Sequence, residues 1–513
     1  MALNNVNFVL GKGGLGRPLP GQDYISGLLF YTANGSLPSG FTTSNRIVQM
    51  FSAADAVAAG IKADYSDETQ ATGTFTVTVV GTNGDIVTLN SLEPNAATVA
   101  LGSYTKVAGD TTVTLVATGI AAAINAGTLT HGYKAVATGG ISGILTITAR
   151  KGLGIFLNTG SPITAVYSAA ATLAGTIIQF SGGVASLQAV WNYHISEYFR
   201  IRPQGNLYVG FYPIATYTFT EITTMQNFAN GTIRQIGVFK DPASPFASAD
   251  ITAIHGVCAA NVAAHKEIIA LYGADISATS DVSTLADLSL LTANYCSAAI
   301  AQDGAALGSK LFFAYGKSIT CLGALLGAVA KAKVSQSIAG VANFNISNGT
   351  ECDTLAFANG VLFSNASVTD SLLTAMQNMR YVFLRKFVGV TGSYYNENST
   401  SIATTSDYAY IADNRTIQKA TRGIYSNMVL ALNSSITLNS DGTLSNEAIS
   451  YFTGLADAPL IQMMRDGEIS GRSVSINAAQ NIVSTGILTI NVSLVQIATA
   501  RNITINIGYR VAV

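Results

Sequence analysis

QIGVFKDPASPFASADITAIHGVCAANVAAHKEIIALY, residues 235–272, carries one full repeat of the pattern that sets the fold. Gln235 to Phe239 is a short apolar run, and Asp241-Pro242 ends it. Ala249 to Lys266 is long enough for a helix and contains no proline. Ile268 to Tyr272 is a second short apolar run. Two strands joined through a long helix predict parallel pairing with the helix as crossover, because a tight turn joins only antiparallel strands. The alternation continues on both sides. Leu207 to Tyr212 reads as a strand and Glu221 to Ala229 as a helix. Further along, Leu285 to Ala299 predicts a helix, Lys310 to Tyr315 a strand and Ile319 to Ala332 a helix. The predicted class is α/β, with a mainly parallel, helix-covered sheet.

The flanking regions have other textures. Residues 41–61 predict a helix, with Thr43 or Ser44 as N-cap and Phe51, Ala54, Val57 and Ala58 as its apolar stripe. From Asp67 to Ala185 charges become rare and β-branched residues alternate. Thr74 to Val80 reads TFTVTVV and is followed by Asn83-Gly84, a strong hairpin signal, with Asp85 to Leu89 as the partner strand. Val113 to Val116 and Ile144 to Thr148 predict a second strand pair, with a short helix from Ile120 to Ala126 between them. Near the end, Asp407 to Leu432 and Asn446 to Arg465 predict two helices. Two long strands follow. Leu488, Ile490, Val492 and Leu494 alternate with Thr489, Asn491 and Ser493; Ile503, Ile505, Ile507, Tyr509, Val511 and Val513 alternate with Thr504, Asn506 and Arg510.

Composition narrows the function. The 513 residues predict three or four domains at about 150 residues each. Charged residues are 11% and hydrophobic ones 49%, with mean hydropathy +0.36. Soluble proteins carry about 25% charge, so much of this surface is expected to be covered by partners. A membrane span needs about 20 apolar residues. The longest run, Ile319 to Ala330, has 12 and stops at Lys331, so it reads as a buried helix. With 27 basic and 28 acidic residues, there is no positive excess to neutralise phosphates, which excludes a nucleic-acid binder. Cys258, Cys296, Cys321 and Cys352 lie far apart with no CxxC, as expected for buried free thiols in a reducing compartment. Met1 to Leu10 lacks a basic start followed by an apolar block, so cytoplasmic synthesis is expected.

Motifs for chemistry are sparse. Gly316-Lys317-Ser318 resembles the end of a phosphate loop, but the glycine needed five residues earlier is Leu311; a helix start capped by Ser318 is the simpler reading. His255, Cys258 and His265 share a predicted helix, but two ligands at helical spacing with no clear third and fourth partner read as ordinary core and surface residues. There is no GxSxG or HExxH, and only four histidines: His131, His194, His255 and His265. Asp241, Asp250, Glu267 and Asp275 flank strand ends, where a ligand site of an α/β sheet would lie; helix caps and loop residues are the plainer reading. Trp191, Tyr193, Tyr198 and Phe199 cluster in sequence before Arg200 and Arg202 and read as domain-junction packing. Neither a cofactor nor a metal site is predicted, and the chain does not read as an enzyme.

The alternating segment up to Val513 needs a partner edge, either in its own domain or, by strand addition, in a neighbouring subunit. Here a resemblance enters. The stretch Ser473 to Asn477, then Asn481 to Gly486, then both strands resembles the C-terminal domain of contractile tail sheath proteins of phages and phage-tail-like injection systems. The two helices before it fit the same pattern, and Gly14, Gly16, Arg17, Pro18, Tyr24 and Ile25 resemble the family's N-terminal arm.

The resemblance implies a central sheath-type α/β core with an inserted β-rich domain and a C-terminal α+β domain ending in exchangeable β-strands. In this chain that gives residues 1–30 as the N-terminal arm, 31–66 and 186–395 as the core, 67–185 as the inserted outer domain and 396–513 as the C-terminal domain. It further implies a structural subunit of a virion tail or phage-tail-like particle, assembled in the bacterial host cytoplasm. Such subunits polymerise helically around an inner tail tube and contract to drive it through a cell envelope. The expected partners are other copies of the chain, the inner tail tube protein, and baseplate and tail terminator proteins, with no direct membrane binding. The residues expected in intersubunit strand exchange are Val6, Phe8, Leu10, Leu488, Ile490, Val492, Ile503, Ile505, Ile507, Tyr509 and Val511. The expected hinges are Gly11, Gly13, Gly14 and Gly16 at one end and Ala498 to Arg501 at the other. A different β-rich virion or surface protein of adhesive function, and an α/β hydrolase or transferase, are the competing classes.

Overall fold

The computed structural model describes residues 22–32, 37–94, 96–140, 142–168, 172–213, 217–241 and 245–509. Its centre is a six-stranded sheet in the order Cys296–Ala299, Ile269–Gly273, Gln235–Lys240, Ile25–Tyr31, Asn206–Tyr212, Ile47–Met50. The first five are mutually parallel and Ile47–Met50 is antiparallel to Asn206–Tyr212. Ile25–Tyr31 lies inside the sheet, and all seven of its residues are buried. That follows from helices covering both faces. Leu28 and Phe30 join one apolar cluster with helices Leu187–Ile201 and Leu322–Lys331; Leu29 and Tyr31 join another with Glu221–Phe228 and Ser248–Ala263.

Glycine decides how two of these helices meet. A Cβ on Gly323 would stand 2.1 Å from the His194 carbonyl oxygen, and one on Gly327 would stand 2.8 Å from that of Tyr198. From Leu322 on, the apolar 319–330 run is thus a buried helix in close backbone contact with Leu187–Ile201. Among the described residues, no helix is long and apolar enough to cross a membrane.

Residues 72–181 fold around their own apolar cluster, centred on Phe75, Val87, Leu89, Val116, Ile120 and Leu145. A four-stranded sheet contains Lys134–Ala137, Ile144–Thr148, Thr72–Val80 and Leu173–Ser181; a three-stranded sheet contains Thr98–Thr105, Ile86–Leu92 and Ile163–Tyr167. The neck is held in three ways. Thr69 and Val184 form a bridge, the Glu68 carboxylate accepts the Gly152, Leu153 and Gly154 N–H groups, and Ile155 N–H donates to the Ala314 carbonyl at 2.8 Å.

Past residue 400, helices Ile411–Met428 and Asn446–Arg465 pack together and against a two-stranded hairpin, Ile469–Ile476 with Ile490–Gln496. The core between them is small: Ala420, Leu460, Met463 and Ile469.

Several local expectations are overturned. Residues 41–61 hold the strand Ile47–Met50 and a short helix, Ala53–Ala58, capped by Ser52. Thr72–Val80 and Ile86–Leu92 do not form a hairpin; the Asn83-Gly84 turn carries the chain from one sheet to the other, where each strand has two different partners. Val113 to Val116 is the first turn of helix Val113–Ala126, nucleated by the Thr112 hydroxyl accepting Leu115 N–H. Leu285 to Ala299 holds one 3-10 turn, Leu288–Leu290, the two-residue strand Thr292–Ala293 and the edge strand Cys296–Ala299. Lys310 to Tyr315 belongs to helix Leu307–Tyr315, because the Asp303 and Glu351 carboxylates cap its first N–H groups. Gly316, at φ 71°, ends that helix, and Ser318 hydrogen-bonds Ala358 instead of capping the next one, which begins at Leu322.

Candidate assembly surface

The hairpin is built by alternation. In Ile490–Gln496, Ile490, Val492 and Leu494 are half-buried while Asn491 and Ser493 are exposed; Val492 and Leu494 pack on the helix pair beside Val474. A two-stranded sheet has two outer edges, and neither has a ladder partner among the described residues. Such edges present free N–H and C=O groups and are templates for another strand.

Two grooves run along the Ile490–Gln496 side. One, of about 1050 Å³, lies between helix Ile411–Met428 and residues 492–501, with Ile417, Ala420 and Ile424 on the helix side. The other, of about 690 Å³, is apolar and includes Met428, Leu432, Phe452, Val483 and Leu488. Ile424 and Val492 line both, so the two are continuous, and no residue of Ile469–Ile476 lines either. The site is a trough floored by side chains and bordered by the open edge of a strand.

Residues 501–509 carry neither helix nor strand. Ile503 is 78% exposed, Ile505 79%, Ile507 95% and Tyr509 fully so. Over the described part of the expected strand, Ile503 to Tyr509, no strand is present. Its apolar residues from Ile503 to Tyr509 are largely exposed, and among the described residues no strand edge pairs with them. Leu488 likewise precedes the strand, which starts at Ile490, and instead lines the apolar groove. Val6, Phe8, Leu10, Gly11, Gly13, Gly14, Gly16 and Val511 lie outside the described residues. Ala498 is exposed on the groove rim. Arg501 is not loose: its Nε donates to Glu397 Oε2 at 2.8 Å and its guanidinium sits 3.5 Å from the Tyr410 ring centroid.

A buried ionic network behind the trough was not foreseen as such. Asp23 bridges Lys419 at 2.8 Å and Arg422 at 2.6 Å, and Lys419 also holds Glu468 at 2.6 Å. Burial pushes the Asp23 carboxyl up, but Arg422 and Lys419 outweigh it and hold its pKa below the usual value. Glu468 is raised by burial. Arg415, wholly buried, is lowered to about 10 by desolvation while it donates to the Asp23 and Ala332 carbonyls. The available signal was the spacing: Arg415, Lys419 and Arg422 stand four and three residues apart on one helix of a chain with 11% charge.

Three of the four strand-end carboxylates are engaged in hydrogen bonds or an ion pair. Asp241 accepts the Tyr315 hydroxyl, Asp250 pairs with Lys240 at 2.7 Å, Asp275 accepts Ser318 N–H at 3.1 Å, and Glu267 is buried in the field of Arg234 and Arg422. His194 is lowered to about 3 by burial and sits against Phe30 and Phe239. His255 stacks on Tyr295 and His265 on Tyr425. Among the described residues no three His, Cys, Asp or Glu side chains gather as metal ligands.

A multidomain α/β chain with a small helix-and-hairpin module at residues 411–496 is thus the class of protein. The chain belongs to the DUF2586 family: the model of the DUF2586 N-terminal domain matches residues 3–399 and that of the DUF2586 C-terminal domain matches residues 407–513. No curated protein matches it in sequence. It is similar to a chain of the anti-feeding prophage (AFP) baseplate, 6-fold symmetrised, at 14% identity and TM-score 0.42, covering 62% of this chain and 80% of that one. A chain of the PVC sheath complex, an extracellular contractile injection system in the contracted state, is similar at 15% identity and TM-score 0.41, covering 63% and 80%. A chain of the AFP baseplate in the contracted state is similar at 13% and 0.41, covering 63% and 85%.

Proposed function

We propose that this protein is a contractile tail sheath subunit, a structural protein that polymerises helically by exchanging strands between copies and contracts around an inner tail tube. The observation that carries the reading is that donor and acceptor coexist in one chain. Ile503, Ile505, Ile507 and Tyr509 alternate and are exposed, while the Ile490–Gln496 edge is unpaired above an apolar trough. Strand addition links copies through main-chain hydrogen bonds and needs no charge, which suits a surface this poor in it.

Magnitudes favour a polymer over a dimer. Burying four large apolar side chains stabilises by roughly 6–12 kcal/mol at about 1.5–3 each. Ordering seven residues costs roughly 7–14 kcal/mol at about 1–2 each. These nearly cancel, so one donated strand holds weakly and stability comes from each copy being held at several points. The inner tube, baseplate and terminator are the further partners in this reading, and the particle is a virion tail or phage-tail-like weapon assembled in a bacterial cytoplasm.

Electron microscopy of the purified chain tests it. Tubes or stacked discs are expected, and a chain lacking residues 503–513 should stay soluble, folded and unassembled. Stable monomers at high concentration, or tubes formed equally well after the deletion, would overturn the reading.

A further inference from the structure

We propose that Arg501, Glu397 and Tyr410 form a clamp that sets the working length of the exchanged segment, and that helix Ile411–Met428 is its rigid mount. The inference rests on the strand-exchange reading for its role in the polymer, but the clamp itself is a property of the single chain.

Three groups converge on the segment's root. Glu397 is buried and accepts Arg501 Nε at 2.8 Å. The Tyr410 ring carries the Arg501 guanidinium 3.5 Å from its centroid and that of Arg380 at 4.8 Å. Arg380 is in turn held by the Thr400 carbonyl at 3.1 Å and by that of Ala409. A charged hydrogen bond combined with stacking on an aromatic face is the geometry for which arginine is suited and lysine is not. The partners come from both family modules. Arg380 and Glu397 lie within 3–399, and Tyr410 and Arg501 within 407–513.

The mount is fixed independently. Tyr410 is the N-cap of helix Ile411–Met428, and one to three turns further on Arg415, Lys419 and Arg422 are bound to Asp23, which precedes the buried strand Ile25–Tyr31. Lys419 also holds Glu468, the residue before hairpin strand Ile469–Ile476. Helix, central sheet and acceptor hairpin are thus tied into one body, and Arg501 is tied to that body.

With the clamp closed, the tether from Arg501 to Tyr509 spans eight residues and reaches at most about 29 Å. With it open, the next fixed point is Gln496, the end of the hairpin strand, and the five residues 497–501 add up to about 18 Å. One ion pair and one ring contact therefore separate two reaches, and two reaches allow a neighbour to be held at two separations without breaking the donated ladder.

Trypsin reads the clamp directly, because cleavage after Arg501 requires its side chain to leave Glu397 and Tyr410. Cleavage of the native full-length chain after Arg501 should be slow and should rise at least ~10-fold in Glu397→Gln, with cleavage after exposed Arg465 unchanged. Tyr410→Leu is the second variant, expected to do the same should Glu397→Gln lower the thermal midpoint. Cleavage after Arg501 that is as fast in the native chain as in both variants would overturn the clamp. Where the chain forms tubes, the Glu397→Gln tubes should show an altered subunit spacing; an unchanged lattice would overturn the role in tether length. A chain that never forms tubes, yet shows the trypsin difference, would sink the sheath reading and leave the clamp standing.

Discussion

Two strands of similar apolar content meet opposite fates in this molecule. Ile25–Tyr31 has parallel partners on both sides and helices on both faces, and every residue in it is buried. Ile490–Gln496 has one partner, one covered face and an open edge, and the alternating residues at 503–509 have no strand partner among the described residues. Hydrophobic pattern marks these segments as suited to pairing but does not specify where a second edge comes from. The first strand completes its pairing by folding; the second region keeps an open edge among the described residues.

Changes in the two regions should therefore separate stability from assembly. The largest effect is expected from placing lysine at Ile503, Ile505 and Ile507 together: assembly falls by more than ~100-fold in critical concentration by sedimentation, while the monomer's thermal midpoint stays unchanged. Next comes Leu28→Ala, a fully buried truncation between two strands, expected to cost about 3 kcal/mol in denaturant unfolding. Gly323→Ala should follow at about 2 kcal/mol, because the added Cβ meets the His194 carbonyl at 2.1 Å.

Asp413 supplies a smaller, pH-dependent effect. Burial raises its pKa to about 6; Arg501 and Arg380 oppose the shift, and Glu397 and Asp407 add to it. A carboxyl raised above its unfolded value near 4 holds more protons folded than unfolded between pH 4 and 6, so stability falls as pH rises through that window. Asp413→Asn should flatten that slope and stabilise by on the order of 1 kcal/mol at pH 7, after discounting for its partial exposure. The opposite sign, with stability rising across pH 4–6 because of this residue, would refute the assignment. The smallest effect is expected for Ile505→Ala, within about 0.5 kcal/mol of the native monomer, since the residue is 79% exposed there.

Legibility followed how local the cause was. Asn446–Arg465 is a helix to the residue, because its cap, Ser445, and its apolar spacing lie within the helix and its own flank. The strand–helix–strand unit of residues 235–272 is likewise present, as Gln235–Lys240, Ser248–Ala263 and Ile269–Gly273. Of the candidate surface, Ile490 and Val492 were readable as a strand, whereas the trough they border depends on side chains from residues 404 to 438.

By itself, the sequence determined the α/β class, the charge-poor surface and the alternation at residues 488–509, since period and composition are properties of neighbours along the chain. Only the tertiary structure decided that residues 307–315 coil into a helix, because the carboxylates that cap it sit at Asp303 and Glu351, the latter some forty residues away. It also decided that Asn83-Gly84 joins two sheets, and that Arg501 is anchored where mobility was expected, because Glu397 and Tyr410 reach it from about a hundred residues earlier. Such contacts depend on distances in space, which no local pattern encodes.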